Sequence, residues 1–192
     1  MTPQDVLDFW FGAPGSALHG QPRREWFVKN DAFDAVIRDR FGPTIEAAVA
    51  GGLRDWDGAG PPGILARLLV LDQFTRNAWR NTPQSFAGDA LALAAAQQLV
   101  DSGAERTLPP LQRAFVYMPF EHAEDAYMQE RAVELVSGLA AEQPGFDEML
   151  DYAHRHRGVI ARFGRFPHRN AILGRASTPE EAAFLQQPGS RF

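Results

Sequence analysis

Polar side chains set into apolar helical sequence mark where this 192-residue chain could do chemistry, because burying such groups without partners is costly. The first place is Leu68 to Asn77, where five polar residues follow Leu68-Leu69-Val70-Leu71. Asp72 and Arg76 are four apart, as are Gln73 and Asn77, so each pair shares a helix face. They either form an internal ion pair with an amide hydrogen bond, or aim the Gln73, Arg76 and Asn77 donors into a cavity with Asp72 orienting the arginine. The second place is Tyr117 to Asp125, where Glu121, Glu124 and Asp125 flank His122 beside Pro119. A carboxylate–histidine pair of this kind could do general acid–base work, and a capped, kinked helix junction is the bland alternative. The third place is Arg162 to Asn170, where cations and aromatics interleave across a helix end marked by Gly164 and Pro167. Guanidiniums beside the backbone N–H groups of a new helix start make an anion site, unless acids elsewhere in the chain take them.

Charge sharpens the third case. The chain carries −5, which argues against a general nucleic-acid binder. Yet Tyr152 to Arg175 holds six arginines, three histidines and no acid; that segment carries +6 and the other 168 residues −11. Stacking of single-stranded RNA on its Arg and Phe residues is disfavoured, because the patch is short and lacks lysine. His154 and His156, two apart, face different ways on a helix and do not chelate. With no cysteine, no zincin motif and no calcium-loop pattern, the expectation is no metal and no cofactor.

The elements that must position these residues read as helices. Thr2-Pro3 and Thr178-Pro179 each start one with a cap and a proline in the first turn. Asp31 is expected to cap a second helix, broken or kinked at Gly42-Pro43. Another should run from Pro62 to about Arg76, and one from Asp89 through the alanine-rich stretch to Val100. A helix from Leu111, kinked at Pro119, is expected to continue from Glu121 to Ala140. Asp147 to Phe163 follows, stopped by Gly164, with a short helix opening at His168-Arg169-Asn170. No alternating run reads as a strand. The expectation is an all-α chain of about seven to nine helices forming one domain, residues 1–192. Without a signal segment or a long apolar run, no membrane role and a cytoplasmic location are expected.

Asp72-Gln73-Phe74-Thr75-Arg76-Asn77, His122-Ala123-Glu124-Asp125 and Arg162 to Asn170 together carry a resemblance. With the opening Val6 to Gly12 and the late Gly174 to Glu181, the chain resembles the uncharacterised bacterial family catalogued as domain of unknown function 924. Glu121 departs from that pattern, which has an apolar residue before the histidine. The resemblance implies a tetratricopeptide-like helical superhelix and supplies no activity.

Two function classes stay open. One is a small anionic ligand, phosphorylated or not, held by Asp72, Gln73, Arg76, Asn77, Arg162, Arg165, His168, Arg169 and Asn170. If the chain is an enzyme, His122 or His168 is its acid or base, with Glu124 or Asp125 as orienter. The other is a peptide- or protein-binding scaffold of helical-repeat type without catalysis, in which those motifs are packing networks. Where the motif side chains point decides between them; homo-oligomerisation is open.

Overall fold

A computed structural model describes residues 1–190. They are helical, with no strand among the described residues. The chain divides into two compact units, Met1–Arg80 with Gln84–Pro119, and Asn81–Pro83 with the residues from Phe120 on.

The first unit holds α1 (Pro3–Phe11), α2 (Asp31–Val49), α3 (Pro61–Leu69), α4 (Thr75–Ala78), α5 (Asp89–Ser102) and most of α6 (Pro110–His122). Its core is aromatic. Val6, Leu7, Trp10 and Phe11 put one face of α1 inside, and Trp10 stacks on Trp26 and meets Phe74 at a tilt. Phe41 meets Phe9 at 4.9 Å and Phe74 at 4.8 Å, and Trp26 meets Phe115 edge-on at 4.9 Å. Rings at these distances contribute beyond the area they bury. Asn30, rather than Asp31, caps α2 by accepting from the Ala32 and Phe33 N–H groups. Pro43 does not break α2: Asp39, whose carbonyl loses a helical donor there, is exposed to water.

Between α3 and α4 the helix widens into a π-helical turn, Val70–Phe74, every residue of which is buried. Gly88, at the start of α5, lies against it so closely that a Cβ there would sit 2.1 Å from the Leu71 carbonyl oxygen. Space requires that glycine, since its φ of −92° suits any residue.

The second unit contains α7 (Ala126–Glu142), α8 (Asp147–Phe163) and α9 (Pro179–Phe184). The antiparallel α7–α8 pair is its frame, and Val159, Ile160 and Phe166 form a core flanked by Phe163 and Phe184. The helix expected to continue from Glu121 to Ala140 is interrupted. α6 ends at His122, and Asp125 caps α7 by accepting the Met128 N–H at 2.9 Å. The buried Gln129 amide donates back to the Glu121 and Ala123 carbonyls at 2.7 and 2.8 Å, satisfying the end of α6.

Candidate functional site

The Asp72–Asn77 motif falls on the π-helical turn and the α4 turn after it, and its polar groups meet partners within the first unit. Asp72, fully buried, lies 3.0 Å from Arg76 Nη1 and accepts from the Gln73 amide at 2.5 Å. Asp89 of α5 takes the same guanidinium at 2.9 Å. Burial works against the charge on Arg76, but Asp72 and Asp89 outweigh it and hold its pKa above the ordinary value. Asn77 does not bond Gln73. It donates to the Asp34 carboxylate at 2.7 Å, which also takes Arg80 at 2.6 Å, because an ionised carboxylate is a stronger acceptor than an amide.

The long loop between α8 and α9 carries the Arg162–Asn170 motif, and two carboxylates organise it. Gly164, at φ +69°, ends α8 in the left-handed conformation that favours glycine. Glu124, from the α6–α7 break, accepts both Arg175 nitrogens at 2.6 and 2.9 Å and the Phe166 N–H at 2.8 Å. Burial raises the Glu124 pKa, and these hydrogen bonds outweigh it and hold the carboxyl below its usual range. Glu181 of α9 accepts Arg165 through both oxygens at 2.6 and 2.8 Å, with Thr178 N–H at 2.7 Å and the Asn170 amide at 3.3 Å. The Arg165 hydrogen bond is the main reason its pKa falls to about 2, ahead of the opposing effect of burial. Asn170 ties the two halves together by accepting Arg175 Nε at 3.0 Å and donating to Ser177. Arg162 pairs with the exposed Glu180 at 2.8 Å.

Against this frame sits a cluster of imidazoles. His122 ends α6, His156 comes from α8, and His168 and Arg169 come from the short 3-10 turn Pro167–Arg169. The His122 and His156 rings are 6.3 Å apart, and Phe166 lies 5.5 Å from His156 and 5.7 Å from His168. The Arg169 guanidinium covers Phe166 at 4.7 Å and donates to the His122 carbonyl at 2.9 Å. Burial, followed by the nearby His122, pushes His156 down to about 3, so it is neutral near pH 7. Its Nδ1–H donates to the Tyr152 carbonyl at 2.8 Å, which leaves Nε2 as its acceptor nitrogen. The buried Glu121 carboxylate stands 3.6 Å from that Nδ1. Half-buried His122 and His168 bring ring nitrogens to the cluster, the equipment for hydrogen-bonding an anion or moving a proton. Among the described residues, no group of three or more histidines and carboxylates is arranged to hold a metal ion.

Of the residues expected from sequence, His122, His168 and Arg169 come together here, while Asp72, Gln73, Arg76 and Asn77 meet their partners in the first unit. Arg165 and Asn170 belong to the carboxylate frame, and so does Glu124; Asp125 caps α7. His156 was missed. The signal was present: Ala153, His156, Val159 and Ile160 recur at helical spacing and are the buried face of α8.

These features define an all-helical protein, and no helix among the described residues is long and apolar enough to cross a membrane. The chain belongs to the family of bacterial proteins of unknown function DUF924, whose pattern matches residues 6–189, in agreement with the resemblance read from its motifs. It is similar to the solved structure of a protein of unknown function from Agrobacterium tumefaciens, at 39% identity over 96% of each chain, with a TM-score of 0.82. No curated protein matches the chain.

Proposed function

We propose that the chain binds a small anionic ligand, phosphate-like in its hydrogen bonding, and that His122, His168 and Arg169 of the second unit receive it. The observation behind this reading is the grouping of three imidazoles and a guanidinium around Phe166 from three separate parts of the sequence. In this reading Arg165, Asn170, Arg175, Glu124 and Glu181 are the frame that fixes the loop. Asp72, Gln73, Arg76 and Asn77 serve the first unit's packing, and Arg162 stays on the surface.

Phosphate titrated against chloride at matched ionic strength tests it by thermal melting. At about 100 times its dissociation constant, a bound anion stabilises by about 2.7 kcal/mol, on the order of 5–10 °C for a chain of this size. Phosphate also stabilises proteins by exclusion from their surfaces, so the variants decide. His168→Ala should remove most of the specific response. Arg165→Ala should lower stability and, by loosening the loop, weaken the response less than His168→Ala does. A folded His168→Ala protein with the full phosphate response would overturn the reading.

The second reading is a peptide-binding scaffold of tetratricopeptide-like form. The engagement of the Asp72–Asn77 and Arg165–Asn170 side chains by partners inside their own units favours it. It becomes the better account if phosphate gives no specific response.

A further inference from the structure

We propose a second ligand site, separate from the histidine cluster: a groove along one face of α8 that takes a small amphipathic carboxylate. The groove has a volume of about 240 Å³ and is open to solvent. Arg155, Gly158, Val159 and Arg162 line it at helical spacing, with Phe163 next in the chain and Phe184 opposite from α9. Its apolar surface is therefore a pair of aromatic rings packed on each other, 5.1 Å between centroids and tilted by 50°, and its cations are two guanidiniums. A ligand with an apolar body and one carboxylate matches both features.

Three observations support this assignment. Arg162 is already held over the Phe163 ring at 4.7 Å and near Phe184 at 5.9 Å, so its charge is fixed at the edge of the apolar surface. Its partner Glu180 and the Arg155 partner Asp151 are 63% and 67% exposed. Exposed pairs of that kind contribute little, and an arriving carboxylate can replace either acid.

The third observation is Gly158. It sits inside α8, where glycine is less favourable than alanine, and its backbone does not need glycine's freedom. A Cβ placed there meets nothing within 4 Å, so packing does not require glycine either. Gly42 and Gly138 share that open space, so the glycine alone proves nothing. Gly158 differs from those two in lining the groove, so a side chain there would take up part of the ligand's volume.

Titration with 3-phenylpropionate, followed by NMR at the Gly158 and Val159 amides, tests the proposal. Acetate, which lacks the body, and 3-phenylpropanol, which lacks the charge, serve as comparisons. Saturable binding of phenylpropionate, at least about tenfold tighter than either comparison compound, is the expected result. Gly158→Leu should abolish it in a protein that melts no lower than wild type. Arg162→Gln, a surface change, should weaken it by about tenfold. His168→Ala should leave it untouched, so failure of the phosphate reading and failure of this one are separate outcomes. Absence of saturable binding, equal binding of the alcohol, or unchanged binding in both Gly158→Leu and Arg162→Gln overturns the proposal.

Discussion

Removing the Asp72 carboxylate tests how the polar motif of the first unit is used. Asp72 is fully buried, and Arg76, its ion-pair partner at 3.0 Å, has a side chain only 19% exposed. Deleting one member of a buried pair costs about 3–5 kcal/mol, because the other charge loses its compensation. Asp89 remains 2.9 Å from the same guanidinium, so Arg76 is not stranded and the lower end applies. The Gln73 amide loses its carboxylate acceptor and keeps only the weaker Met118 sulfur at 3.4 Å. Asp72→Ala should therefore lose about 3 kcal/mol, which for a chain of this length lowers Tm by about 6–12 °C. Asp72→Asn keeps the shape and an acceptor for Gln73, and should lose about half as much. Thermal and urea unfolding measure both, and Asp72→Ala in an Arg76→Ala background gives their coupling, expected at about 0.5–3 kcal/mol. A melting temperature within a degree or two of wild type for Asp72→Ala, or no coupling to Arg76, would refute the structural role and return the motif to the candidates for ligand binding.

Acid should destabilise the chain early. The His156 pKa is about 3 when folded and about 6.5 when unfolded, so the unfolded chain binds the extra proton between those values. Stability is then unaffected above pH 6.5 and falls as pH drops below it, by up to about 1.4 kcal/mol per pH unit. Below about 4.5 the Glu181 contribution, present above its unfolded pKa, is lost as pH falls towards 2. His156→Gln should flatten the upper part of this dependence in urea midpoints measured from pH 4.5 to 7; an unchanged slope would contradict it. Gly88→Ala should cost about 1–3 kcal/mol by overpacking against the Leu71 carbonyl, whereas Gly158→Ala should gain up to about 1 kcal/mol from helix propensity. Equal melting temperatures for those two variants would be inconsistent with the packing described.

Local signals carried most of the fold. The caps at Thr2 and Thr178, the prolines after them and the stop at Gly164 are chemistry within a few residues, and the structure uses each of them. Local signals were misleading where a distant group intervened. Gln129, several residues into α7, satisfies the end of α6, and the one local mark of an interruption between Glu121 and Ala140 is Asp125, which caps α7. The π-helical turn has no sequence mark of its own beyond the buried polar residues that depend on it. Asn77 meets Asp34, 43 positions earlier, and no helical spacing anticipates that partner.

The arginine-rich segment shows why charge read along a chain differs from charge in space. Between Tyr152 and Arg175 every charged side chain is cationic, and the sum alone predicts an anion site. In the fold, Arg155, Arg157, Arg162, Arg165 and Arg175 are matched by Asp151, Glu130, Glu180, Glu181 and Glu124, all from outside the segment. The surplus on one stretch and the deficit on the rest were two sides of the same set of pairs. What the sum cannot reveal is which cations stand beside imidazoles rather than carboxylates. Arg169, directed to the His122 carbonyl and the face of Phe166, stands among three histidines, and position rather than number makes it the arginine to test.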